Sequence, residues 1–163
     1  MTDQDFNNCV DNYSDGVYRF IVKNIGHEAD AQDIVQTAFE KLWINRLKVE
    51  PEKVKSYLFT VAYNQMIDHI RKDKKDITTD NFEEVNKQTS YQSSSELKQI
   101  LLRAINELNP TQKSLVLLKD YEGYSYQEIG EIMGLSESQV KVYLHRARLI
   151  LKGKLIHLEK MSA

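Results

Sequence analysis

The sequence predicts an all-α protein: two small helical domains joined by a flexible linker, with a helix-turn-helix in the C-terminal domain. Three observations predict this. Apolar residues recur at helical spacing along most of the chain, and no stretch shows the strict alternation of a strand. Only two prolines and six glycines punctuate 163 residues. The periodicity collapses once, between Asp76 and Ser95.

Residues 4–25 carry Phe6, Val10, Tyr13, Val17, Phe20, Ile21 and Ile25 on one side, which predicts a helix with a break near Asp15-Gly16. Gly26-His27-Glu28 reads as a turn. Ala31, Ile34, Val35, Ala38, Phe39, Leu42 and Trp43 then fall at i, i+3, i+4, i+7, i+8, i+11 and i+12, the stripe of an amphipathic helix. Phe39 and Trp43 are expected chiefly in its core. A polar loop over 45–52 contains Pro51. Residues 53–73 form the next helix, with Val54, Leu58, Val61, Ala62 and Met66 along its apolar face.

Residues 76–95 are polar and acidic, with Asp76, Asp80, Glu83 and Glu84 against Lys87. This is a linker of about 20 residues, roughly 25 Å across as a relaxed coil and about 70 Å fully extended. The chain thus divides into 1–75, the linker 76–95, and 96–163. The second domain opens with Leu97, Ile100, Leu101, Ala104, Ile105 and Leu108 at helical spacing. Asn109-Pro110-Thr111-Gln112 starts another helix, with a cap residue, proline first and glutamine third. Asp120 to Tyr124 makes a turn.

Residues 125–154 carry the most information. Ser125 followed by Glu128, and Ser136 followed by Gln139, are capping boxes eleven residues apart. Gly134 suits a left-handed helix stop, and Leu135 suits a plug between the helices. In the second helix Val140, Leu144, Ala147 and Leu151 face the core, leaving Gln139, Lys141, Val142, His145, Arg146 and Arg148 on the other side. Two helices in this relation, the second with a basic outer face, point to duplex DNA read in the major groove.

The net charge of −2 conceals a strong segregation. Residues 1–40 hold eight acids against Arg19 and Lys23. Residues 53–75 hold six bases against Asp68 and Asp73, and residues 137–154 hold five against Glu137. Two basic patches suggest two DNA contacts. The acidic segment avoids DNA and suits a basic protein surface. Cys9 is the single cysteine, so no intramolecular disulfide forms, which fits a reducing cytoplasm. No apolar run is long enough to span a membrane, and the acidic N-terminus is no signal peptide.

These segments together resemble the extracytoplasmic-function (ECF) sigma factors of the sigma-70 family, over essentially the whole chain. Asp30-Ala-Gln-Asp-Ile-Val-Gln-Thr-Ala-Phe-Glu-Lys-Leu-Trp43 is similar to the helix that docks on the RNA polymerase clamp. Lys55 to Lys72 (KSYLFTVAYNQMIDHIRK) is similar to the helix that recognises and melts the −10 element. Leu108-Asn-Pro to Arg148 is similar to the domain that reads the −35 element. The resemblance implies promoter-directed transcription initiation, with core RNA polymerase (clamp helices and flap) and promoter DNA as partners. An anti-sigma partner is common in the family, though no residue of the sequence points to one.

By the same resemblance, Asp33, Gln36 and Glu40, on one helix face, meet the polymerase clamp. The loop after Trp43, with Asn45 and Arg46, holds an unpaired −10 base. Asn64, Asp68 and Arg71 match DNA-facing positions of the following helix, and Lys72, Lys74 and Lys75 suit phosphate. Asp68 either accepts from a base amino group or pairs with Arg71. Thr60 departs from a position that is often basic. Of Tyr57, Phe59 and Tyr63, one at most is expected to stack on a base. Lys141, Val142, His145 and Arg146 align with −35 contacts, with Arg148 and Lys152 as phosphate anchors.

The alternative is a stand-alone helix-turn-helix regulator, which would bind a palindrome tightly by itself as a dimer. An enzyme is not expected. His27, His69, His145 and His157 are scattered, and no carboxylate pair joins a histidine at ligand spacing. No catalytic group, metal or cofactor is assigned.

Overall fold

The computed structural model describes residues 1–76 and 96–162, without the side chains of Lys75, Asp76 and Ser162. The expected linker therefore falls almost wholly outside the described residues. Seven α-helices occur among the described residues: α1 (Asp3–Ile25), α2 (Glu28–Ile44), α3 (Val54–Asp76), α4 (Glu96–Asn106), α5 (Pro110–Val116), α6 (Tyr126–Met133) and α7 (Glu137–Ser162). No strand occurs among the described residues. The chain forms two compact units.

In the first unit α1, α2 and α3 pack on one another. Thr2 opens α1 with a capping box: the Asp5 N–H donates to Thr2 Oγ1 at 3.1 Å, and the Thr2 N–H donates to Asp5 Oδ2 at 2.9 Å. Hydrogen bonding from the Thr2 backbone, and then from its side chain, also holds the Asp5 carboxyl below its ordinary pKa. The helix runs unbroken through Asp15-Gly16. A glycine inside a helix costs roughly 1 kcal/mol against alanine, and the buried Val17, Phe20 and Ile21 that follow outweigh it. Gly26 ends the helix at φ 68°, and its N–H donates to the Val22 carbonyl at 2.8 Å. His27 then caps α2, its Nδ1 accepting from the Asp30 N–H at 3.2 Å. Ala31, Ile34, Ala38, Phe39 and Leu42 are buried. Phe20 and Phe59 meet across the core with centroids 5.7 Å apart. A 3-10 turn over Pro51–Lys53 leads the chain into α3.

In the second unit α7 packs on α4 and α5. Ile100, Ala104, Ile105 and Leu108 are buried as the spacing predicts, whereas Leu97 is 67% exposed at the helix start. Asn109 and Gln112 form a reciprocal cap on α5, with Pro110 at its first position. The helix continues as a wider turn over Leu117–Tyr121, where the Glu122 N–H reaches back five residues to the Leu117 carbonyl at 2.9 Å. Gly123 at φ 75° then releases the chain. Lys154 pairs with Glu107 at 3.5 Å, tying the far half of α7 to the end of α4.

Candidate nucleic-acid interface

The helix-turn-helix is built from its caps inward. The Glu128 N–H donates to Ser125 Oγ at 3.1 Å at the start of α6. Ser136 and Gln139 exchange both bonds at the start of α7, at 2.9 and 3.1 Å. Gly134 turns at φ 71°. Gly130 is fixed for a different reason: a Cβ there would lie 2.5 Å from the Leu135 carbonyl oxygen, and the Leu135 N–H donates to the Gly130 carbonyl at 2.9 Å. Only a residue without a side chain lets the turn close this tightly.

The turn aims α7. Val140, Leu144, Ala147 and Leu151 are buried, and Lys141, Val142, His145 and Arg146 are exposed. Two predicted contacts have intramolecular work. Gln139 uses Oε1 in the cap, which leaves only its Nε2 for another partner. Arg148 grips Asp120 with two bonds, Nη2 to Oδ1 at 2.6 Å and Nε to Oδ2 at 3.3 Å. The hydrogen bond to Asp120 is the main cause that raises the Arg148 pKa. Arg148 thus braces the turn after α5 against α7.

The first unit presents a different arrangement. Asn45 closes α2, its Nδ2 donating to the Lys41 carbonyl at 2.9 Å and to the Tyr57 hydroxyl at 3.1 Å. That hydroxyl itself donates to the Lys41 carbonyl at 3.3 Å. Arg46 folds back as well: Nη1 donates to the Trp43 carbonyl at 2.8 Å, and the guanidinium lies 4.0 Å from the Trp43 ring centroid. Trp43 is 37% exposed and touches Phe6 edge-on at 5.0 Å, so it is less a core residue than a platform. An open hollow of about 490 Å³ adjoins this loop, lined by apolar Tyr13, Leu47, Val49 and Pro51 and by polar Asp5, Asn8, Arg46, Lys48 and Glu50.

On α3, Asn64, Asp68, Arg71 and Lys72 are all exposed. Among the described residues no ion pair joins Asp68 to Arg71, so the pairing that the spacing allows does not form. Thr60 returns its hydroxyl to the Ser56 carbonyl at 2.7 Å. Phe59 and Tyr63 are buried, which leaves Tyr57 as the partly exposed ring of the three. On α2, Asp33, Gln36 and Glu40 share an exposed face, with Gln36 Nε2 donating to Glu40 Oε1 at 3.1 Å. Ile44 and Leu47 extend beyond them, 74% and 85% exposed.

Two histidines are less scattered than the sequence suggests. His27 Nδ1 and His69 Nε2 lie 3.2 and 3.3 Å from Asp30 Oδ2, and His69 also lies 3.2 Å from Asp73. The His69–Asp30 contact joins α3 to α2, and these contacts are ionic only when the imidazoles are protonated. No group of His, Cys, Asp and Glu suited to a metal ion occurs among the described residues, nor does any helix long and apolar enough to cross a membrane. Sequence reasoning missed Asp120 and Tyr126, whose roles depend on contacts with α7. The capping pattern of Ser125 drew attention to their neighbour alone.

Comparison with known proteins agrees with this geometry. The family model of sigma-70 region 2 matches residues 9–76, and that of sigma-70 region 4 matches residues 98–151. The chain is 33% identical over 145 residues to the ECF RNA polymerase sigma factor SigM of Bacillus subtilis, covering 86% of this chain and 89% of the relative. It is 30% identical over 169 residues to SigW of the same organism, covering 94% and 90%. The solved structure of the sigma factor RpoE in complex with the anti-sigma factor NepR, from Bartonella quintana, superposes with a TM-score of 0.78 at 25% identity, over 93% of this chain and 97% of that one. The chain belongs to the extracytoplasmic-function group of RNA polymerase sigma factors in the sigma-70 family.

Proposed function

We propose that this sigma factor directs core RNA polymerase to its promoters through three surfaces, each assigned to named residues. The observation that carries the reading is the outward face of α7, where Lys141, Val142, His145 and Arg146 stand exposed over a buried opposite side. A helix held this way enters the major groove, with Lys141 and Arg146 reaching guanine edges and Val142 meeting a thymine methyl. Gln139 adds one amide donor, and Lys152 binds phosphate.

The second surface takes opened −10 DNA. An unpaired base needs a flat stacking partner, a hydrogen-bonding group and a dry wall. Arg46 lying on Trp43 supplies the plane, Asn45 Oδ1 an acceptor, and the apolar residues Leu47, Val49 and Pro51 of the loop the wall. Asn64, Asp68, Arg71 and Lys72 on α3 continue the path, Arg71 and Lys72 against the backbone. The third surface, Asp33, Gln36 and Glu40, meets the polymerase clamp, and the flap engages the second unit. In this reading the protein works in the cytoplasm, carries no catalytic group or cofactor, and divides into 1–75, a linker over 76–95, and 96–163. RpoE of Bartonella quintana was solved with its anti-sigma factor, and an anti-sigma partner here belongs to the same proposal.

Run-off transcription with purified core polymerase on a promoter library tests it. Promoter-specific transcripts that need both proteins are expected. No transcripts with a compatible core, together with tight palindrome binding by the free chain, would establish the stand-alone regulator instead.

A further inference from the structure

Lys141 reads DNA in the proposed function, yet a lysine is a poor reader if left alone. Its ammonium rides on a flexible four-carbon stem, and aiming it at one base edge costs side-chain freedom. Two groups in the second unit flank it. Glu137 lies 3.7 Å away, one helical turn earlier, and both side chains are 56% exposed, so salt screens this pair. The other is the Tyr126 ring, whose centroid lies 5.5 Å from Lys141 Nζ.

Tyr126 is itself well fixed. It is the first residue of α6 and half-buried. Close by, Asp120 grips Arg148 of α7 with two bonds. Lys119 Nζ lies 4.5 Å from the same ring while donating to the Tyr124 carbonyl at 3.1 Å. The ring therefore stands on a braced corner joining the turn after α5, the start of α6 and the outer face of α7. A cation over such a face is attracted by the ring quadrupole.

We propose that Tyr126 is a positioning residue for −35 readout: its ring pre-aims Lys141 at the base edge, so that the aiming cost is met by the fold before DNA arrives. This rests on the reading of Lys141 as a base contact. It assigns to the first helix of the motif a share in specificity without any contact to a base.

The test uses holoenzyme bound to promoters that carry each of the four base pairs at every −35 position. Lys141→Gln first identifies the base pair that Lys141 reads. Tyr126→Leu should then reduce discrimination at that base pair roughly two- to five-fold, the scale of one exposed cation–ring contact. Tyr126→Phe, which keeps the ring, should restore it. In the Lys141→Gln background Tyr126→Leu should have no further effect there. An equal loss on all sequences, an effect that persists without Lys141, or equal damage from Phe and Leu overturns the proposal. If Lys141→Gln shifts no preference, the reading of Lys141 fails, and the positioning role fails with it. A second measurement needs no variant. In the free, intact protein the Lys141 ε-methylene protons should resonate upfield of those of Lys152, shifted by the ring current. Coincident resonances would rule the contact out.

Discussion

The two surfaces proposed to face DNA are built in opposite ways. On α7 the proposed reading groups stand away from the backbone: Lys141, Val142, His145 and Arg146 project from a helix whose other side is buried. After α2 the groups lie down: Asn45 caps its own helix and Arg46 rests on Trp43. The difference follows the substrate. A duplex shows its base edges at the bottom of a groove, so the protein must reach in. An unpaired base brings its own face outward, so the protein must offer a flat seat. In the proposed function the same residue types, an amide and cations, serve both tasks, and what changes is whether the fold extends them or presses them flat.

The largest expected effect breaks the first surface at its hinge. Gly130→Ala places a Cβ against the Leu135 carbonyl oxygen. Overpacking costs about 1–3 kcal/mol where side chains can adjust, and here the obstacle is backbone, so the upper end or more is expected. Thermal unfolding should show the second unit destabilised while the first keeps its transition, and −35 binding should fall with it. A melt indistinguishable from wild type would mean that the turn is looser than it looks, and that α7 is not aimed by it.

Next come the reading groups themselves. Lys141→Gln and Arg146→Gln should each change the preferred base pair at one −35 position by about 1–3 kcal/mol, measured as relative holoenzyme affinity across single-base promoter variants. Opening at −10 should be unaffected once affinity is matched by concentration. Loss spread evenly over all sequences would reassign both residues to phosphate.

Arg148 and Lys152 separate brace from anchor. Arg148→Gln should cost about 1 kcal/mol of stability, the scale of a half-exposed bidentate pair, and leave the salt dependence of DNA binding nearly unchanged. Lys152→Gln should leave stability alone and reduce the salt slope by about one. The opposite pattern would return Arg148 to the DNA.

Much of this was legible in the sequence, and the exceptions share a cause. Caps and stripes are local, so Asn109, Ser125 and Ser136 start helices where their spacing says they should, and Val140, Leu144, Ala147 and Leu151 are buried as a set. Gly16 misled because a local helix breaker was outweighed by the packing of Val17, Phe20 and Ile21. The pairing of Arg148 with Asp120 was not legible because its partner lies 28 residues away, on a turn that no helical periodicity describes. His27 and His69 looked unrelated for the same reason, since Asp30 joins them only once α2 and α3 are packed. Gln139 was both cap and candidate reader in the sequence, and its geometry gives the carbonyl end to the cap.

The smallest expected effect decides what the flattened surface is for. Tyr57→Phe removes an acceptor for Asn45 and a donor to the Lys41 carbonyl, with the ring left in place. One such hydrogen bond is worth about 0.5–1.5 kcal/mol, so the first unit should melt almost as before. If the folded-back arrangement is a ready seat, loosening it lets Asn45 and the loop wander. Permanganate reactivity of unpaired thymines should then show −10 opening slowed by roughly two- to ten-fold, with −35 duplex binding unchanged. If the arrangement is instead a latch that must release before a base can enter, the same substitution speeds opening. A seat keeps its acceptor and its plane turned outward while bound to the scaffold, whereas a latch hides them. The sign of this one rate change tells the two apart.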